Sequence, residues 1–258
     1  MAMISPSALS MMVGLSVGGA AAYLGSLMIS RRMALTGDAL GHVALPGMGV
    51  ALLYHWDVSL GAFAALLAGV LLVWRWEKKT TLSAETLVGI VFVASLALGF
   101  LIVPQPELLE SLVGDISKVS IKSGCASVLL ALGVIWGIRR IYAGLILSSL
   151  SSDLAAVQGI PVRRYELLYF LAIAVIVALG VKVTGSLLVG ALVIVPAAVA
   201  RNLSRNMAQY AYGSLLIGMA TCGIGILGSR FTGFPAGPMI ILVNVALFAA
   251  SFLLKRNS

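Results

Sequence analysis

Apolar residues fall along this chain in nine blocks, near residues 8–29, 38–54, 58–74, 86–103, 124–138, 165–181, 184–200, 211–228 and 237–254, with most charges between them. A helix that crosses a bilayer needs about 20 predominantly apolar residues. Nine such blocks use most of the chain and leave only short connections. The pattern therefore predicts one all-α, polytopic transmembrane helical bundle over residues 1–258, with no separate soluble domain. Several blocks are short, and the close pair 165–181 and 184–200 has room for a broken or re-entrant piece, so eight or nine spans are expected. The first cation is Arg31, so the opening block lacks the basic start of a signal peptide and reads as a retained span.

Composition excludes the soluble alternatives. Of 258 residues, 60% are hydrophobic and 10% charged, where a soluble domain needs about 25% charged residues to cover its surface. The mean hydropathy is +1.08. Cys125 and Cys222 lie inside apolar runs and read as small core residues, not as a disulfide framework. The net charge of +8 invites a nucleic-acid reading, but thirteen of the seventeen cations fall on alternate segments if the amino terminus lies outside. Only Lys118, Lys122, Lys182 and Arg230 fall on the other side. That bias follows the positive-inside rule, places the carboxyl terminus in the cytoplasm and removes nucleic acid as a partner.

An ionisable group inside hydrocarbon is expensive and normally faces the protein interior or a wet cavity. Most acidic residues lie in loops or at block ends; Asp38 is the exception, with His42 four residues on in Gly37-Asp38-Ala39-Leu40-Gly41-His42-Val43-Ala44-Leu45-Pro46-Gly47. On a helix, i and i+4 share one face, where a carboxylate and an imidazole reach a common ion. One oxygen and one nitrogen ligand suit zinc, manganese or iron(II). The alternative is an Asp38 that caps a helix and a His42 bonded to a carbonyl. Pro46 and Gly47 are expected to kink or unwind this helix and free carbonyls toward a pathway, or else to be tolerated interior residues of a bundle.

At this run the chain resembles the permease subunits of ABC importers for zinc, manganese and iron(II). The hallmark is an arginine pair followed by Gly-Asp-Ala-x-x-His-x-x-Leu-Pro-Gly, matched by Arg31, Arg32, Gly37, Asp38, Ala39, His42, Leu45, Pro46 and Gly47. Further matches are Gly114-Asp115-Ile116, the stretch Asp153, Ala155, Gly159 and Ile160, the run 193–201 containing Pro196, and Pro235-Ala236-Gly237. Gly41 stands where a serine often precedes the histidine, and Val199 replaces a frequent threonine. The resemblance implies a type II importer-like permease of a bacterial-type cytoplasmic (inner) membrane. It also implies that Asp38 and His42 contact a metal in transit and that Asp153 to Gly159 dock an ATP-binding-cassette ATPase. Further implied partners are an extracytoplasmic metal-binding protein and a second copy of the chain.

The segment 148–161 is the longest polar interruption on the expected cytoplasmic side. Ser151 or Ser152 can cap a short helix starting near Asp153, and Gly159 with Pro161 can stop it. No G-x-x-x-x-G-K-[ST] loop is present, so ATP hydrolysis is expected on another chain and the metal is cargo with no resident cofactor. An intramembrane hydrolase is the rival reading. Gly14-Leu15-Ser16-Val17-Gly18 matches G-x-S-x-G, with His42 as base, but that motif needs a strand-to-helix turn, whereas Gly14 and Gly18 also have GxxxG packing spacing. His55 and Asp57 sit among aromatics, as an interfacial anchor or a weak entry site. Gly133 and Gly137 read as close-packing positions. Asp38 lies only six residues after Arg32, which puts the pair near the cytoplasmic face unless the helix starts deep.

Overall fold

The computed structural model describes residues 6–102, 120–186 and 188–255, and every regular element in them is helical. The elements are α1 (Pro6–Ser30), α2 (Thr36–Leu53), α3 (Val58–Trp76), α4 (Ala84–Ile102), α5 (Ile121–Leu150), α6 (Ser152–Val157), α7 (Val162–Thr184), α8 (Val189–Leu203), α9 (Met207–Thr232) and α10 (Ala236–Lys255). All nine apolar blocks become helices, and the polar interruption yields α6. Seven of the described helices are long and apolar enough to cross a membrane. That corrects the expected eight or nine. The two that fall short are α8, only 15 residues long after the bend at Gly185 (φ 85°), and α2, diluted by Thr36, Asp38, His42 and Pro46.

Side chains set the helix ends. The Asp57 carboxylate accepts from the Ser59 and Leu60 amides at 2.8 and 3.1 Å and so caps α3. Asn206 caps α9 through the Gln209 amide, 2.8 Å away, and left-handed Gly233 closes that helix. Block 124–138 proves too short, because α5 runs on through Arg139 and Arg140. Both arginines are exposed, and the Arg140 guanidinium lies 4.8 Å from the Trp136 ring centroid, so the charges leave the helix face without ending it.

The centre of the bundle is α1, packed by α5, α7, α8 and α9, whereas α2 packs on α3, α4, α7 and α8. Glycine permits the closest crossings. A methyl group at Gly18 would lie 2.9 Å from the Gly218 carbonyl oxygen on α9. One at Gly47 would lie 2.6 Å from Ala65 on α3. Large apolar side chains such as Leu101 on α4, Leu129 on α5 and Phe252 on α10 point outward, the surface expected where lipid is the solvent. Contacts between distant helices follow the alternating course. Arg31 pairs with Glu166 at 3.6 Å at one end of the bundle, and Lys182 donates to Ser123 at 3.2 Å at the other.

Three smaller expectations are corrected. Cys222 is a core residue, but Cys125 is exposed. Among the described residues nothing packs on Gly133 or Gly137, which lie on the open face of α5. Ser16 sits mid-helix and donates to the Val13 carbonyl at 3.1 Å, so the strand-to-helix elbow a nucleophilic serine requires is absent and the hydrolase reading has no support.

Candidate metal pathway site

Asp38 belongs to the first turn of α2, but it is not the cap. The N-cap residue is Leu35, and no side chain bonds the free amides there. Among the described residues Asp38 makes no side-chain hydrogen bond or ion pair. Its carboxylate still gains from the positive end of the helix, and it remains exposed in the single chain. His42 follows one turn on, close enough to interact electrostatically with Asp38. Its ring is half-buried and packs on Phe92 of α4, with centroids 5.5 Å apart. The Nδ1 atom is buried with no hydrogen-bond partner among the described residues. The capping role for Asp38 and the carbonyl partner for that nitrogen are therefore both absent, and a buried polar atom without a partner carries a desolvation cost of about 1–3 kcal/mol.

The facing wall is the start of α8. A methyl group at Gly190 would lie 2.5 Å from the Asp38 Cβ and 2.7 Å from its Oδ1, so only glycine fits there. A methyl at Gly41 would lie 2.6 Å from Val189 Cγ1 and 2.7 Å from the Ser186 carbonyl oxygen. That explains the glycine at position 41: a serine side chain has no room where α8 comes this close. Val199 is likewise buried, packed where a hydroxyl would need a partner.

Helix α2 continues through Pro46 and Gly47, and α8 continues through Pro196. Proline has no N–H, so the carbonyls of His42 and Leu192, four residues earlier, lose their ordinary helical donor. One of these oxygens belongs to His42 itself. Gly47 has a second role that spacing did not reveal, the close crossing with α3.

The depth of the pair follows from the corner before α2. Arg31 reaches Glu166 and lies 5.2 Å from the Tyr169 ring centroid on the first turns of α7. Gly41 meets Ser186, beyond the last turn of the same helix. Thr36 and Leu40 are fully buried. Helix α2 therefore begins inside the protein and carries Asp38 away from the arginines. Sequence reasoning missed Gly190, Ser186 and Phe92; a glycine five residues after Gly185 in a short apolar block was the only trace of the first.

Among the described residues no three His, Cys, Asp or Glu side chains come together as a metal cluster. Two side chains from one chain would by themselves leave a metal's coordination shell open. His55, with φ 54°, is exposed beside the tilted pair of Tyr54 and Trp56 rings, while the Asp57 carboxylate is engaged in capping. The interfacial-anchor reading fits these contacts.

At the arginine end, α6 has the form expected of the polar segment. Ser151 caps it through the Leu154 amide at 3.2 Å. Ala155 is fully buried, whereas Asp153, Leu154 and Val157 are exposed. Gly159 has φ 68° and ends the turn, with the Ile160 amide bonded back to the Ala155 carbonyl at 3.0 Å. Gly114, Asp115 and Ile116 lie outside the described residues.

The fold and site thus define a multi-pass helical membrane protein with a carboxylate and an imidazole on one face of an internal helix. The chain belongs to the ABC 3 transport family, whose model matches residues 6–255. It is 26% identical over 248 residues to a manganese transport system membrane protein of Listeria innocua, covering 95% of this chain and 89% of that protein. It is 28% identical over 256 residues to a high-affinity zinc uptake system membrane protein of Haemophilus influenzae, covering 96% and 97%. Among solved structures, PsaBC from Streptococcus pneumoniae in complex with Fab superposes with a TM-score of 0.81 at 24% identity, over 94% of this chain and 89% of that one. A transporter solved in an inward-facing conformation gives 0.69 at 18% identity, over 95% and 84%.

Proposed function

We propose that this chain is the membrane permease subunit of an ATP-binding-cassette importer that moves manganese, zinc or iron(II) into the cytoplasm by alternating access. The observation that carries the reading is the Asp38 and His42 pair on one face of α2, against a glycine wall that leaves room for little else. In this reading the carboxylate and the imidazole hold the ion briefly, and the carbonyls released by Pro46 and Pro196 offer further oxygens along its path. Coordination needs His42 neutral and Asp38 ionised, so protonation of either weakens uptake.

The same proposal gives α6, with Asp153, Ala155 and Gly159, the role of docking ATPase subunits that supply the energy. A second copy of the chain completes the conduit on the side where Asp38 is open. An extracytoplasmic metal-binding protein delivers the ion, and the arginine-rich end with the carboxyl terminus faces the cytoplasm of a bacterial-type inner membrane. The names of the relatives favour a metal cargo without selecting one metal.

Uptake of labelled manganese, zinc and iron by cells expressing the chain with its ATPase and binding protein tests the assignment. Asp38→Ala and His42→Ala are each expected to lower uptake at least tenfold while the protein still reaches the membrane. Wild-type uptake in both variants removes the pair from the pathway.

A further inference from the structure

A cavity of about 520 Å³ opens where the ends of α1, α5 and α8 meet the start of α9. Ser30, Arg201, Ser204, Arg205 and Tyr210 line its polar side. It lies at the end of the bundle opposite the Lys182–Ser123 contact and shares no residue with the Asp38 and His42 site. Four observations give it the chemistry of an anion site. Neither Arg201 nor Arg205 forms an ion pair among the described residues, so two guanidinium groups stand without a carboxylate. Arg201 lies over the Tyr210 ring, 6.0 Å from its centroid, and both residues line the cavity. Tyr210 is only 4% exposed, and its hydroxyl, with Arg201 and Ser30 as polar neighbours, makes no well-formed hydrogen bond. Asn206 and Met207, which open the 26-residue α9, also line the cavity, so the positive end of a long helix points the same way.

We propose that this cavity binds a phosphate-bearing anion, and that its source is the headgroup of an anionic phospholipid. Two planar guanidiniums, a buried hydroxyl donor and helix amides match the oxygens of one phosphate group. The lining also includes Ile146 and Leu150 of α5, apolar side chains that suit an acyl chain and have no use for free phosphate. Basic pockets between helices at the cytoplasmic side of a bundle favour such headgroups. Only the cytoplasmic placement of the arginine-rich end comes from the proposed function; the site needs neither the ion pathway nor a bound ATPase, so lipid retention is tested apart from metal uptake.

The full chain is purified and placed in nanodiscs of phosphatidylcholine alone or mixed with phosphatidylglycerol, and in detergent with either lipid for native mass spectrometry. Wild type is expected to keep one tightly held phosphatidylglycerol and to unfold at a higher temperature when that lipid is present. Arg201→Gln with Arg205→Gln is expected to weaken this retention at least tenfold, and Tyr210→Phe to weaken it less. Arg201→Lys with Arg205→Lys keeps the charge and recovers part of the binding, which separates loss of the site from loss of the fold. Arg139→Gln with Arg140→Gln removes equal charge from the exposed face of α5 and leaves retention unchanged. Equal retention by wild type and the Arg201/Arg205 double glutamine variant overturns the site. Stabilisation of wild type by inorganic phosphate with none from phosphatidylglycerol overturns the lipid source.

Discussion

Single residues decide what can stand beside Asp38 and His42. Position 190 has no space for a side chain, because even a methyl group would meet the Asp38 carboxylate. Gly190→Ala is therefore expected to push α8 from α2 or turn Asp38 out of place. Overpacking of this kind costs about 1–3 kcal/mol, so a lower Tm in detergent is expected together with reduced metal uptake. An unchanged Tm and normal uptake would show that the wall yields freely. Asn244 poses the opposite problem: it is fully buried on α10, and neither amide atom has a partner among the described residues. A buried amide without partners gives up its hydration for nothing. Asn244→Leu is expected to raise the Tm measured by thermal unfolding, provided Leu fills the same space, and a fall in Tm would reveal a partner for the amide.

At the scale of an element, α6 shows how six residues are held in place. Too short to be stable alone, this helix depends on the Ser151 cap, the left-handed Gly159 and the buried Ala155. Gly159→Ala places a Cβ at φ 68°, which costs roughly 1 kcal/mol, and Ala155→Asp buries a charge in a contact with no partner. On the proposed docking role, both variants are expected to leave metal affinity of the assembled transporter intact while lowering its metal-stimulated ATP hydrolysis, Ala155→Asp the more severely. Full ATPase stimulation in Ala155→Asp would separate α6 from coupling. The exposed Leu154 and Val157 are the apolar surface such a partner would cover.

Over the whole molecule, charge gathers where α1, α3 and α7 meet. Burial first, and then the Glu166 carboxylate, push the Glu77 carboxyl above its ordinary value against the opposing pull of Arg31 and Lys78. A raised carboxyl means that the fold favours the protonated form. Ionised Glu77 therefore costs stability at neutral pH, and the cost vanishes as pH falls through its folded pKa. Glu77→Gln is expected to raise the Tm at neutral pH, with the gain shrinking on acidification toward the ordinary glutamate range. An advantage that grows as pH falls would reverse the assignment. The same junction holds Arg31 against Glu166 and Tyr169, fixing the corner from which α2 enters the protein.

Hydropathy alone located every long helix, because the need to satisfy backbone groups in lipid leaves an apolar run few other choices, though it stopped α5 twelve residues early. Local chemistry likewise placed α6, since a serine cap and a glycine stop act within one turn. The Asp38 and His42 pair was legible for the same reason: spacing of i and i+4 is a property of the helix itself. Three features depended on contacts between segments far apart in the chain. The glycine wall of α8, the buried start of α2 and the cavity between α1, α5, α8 and α9 exist only once the helices have chosen partners. A single strand of hydropathy holds no record of which glycine faces which carboxylate, because that pairing is set by how closely two backbones can approach.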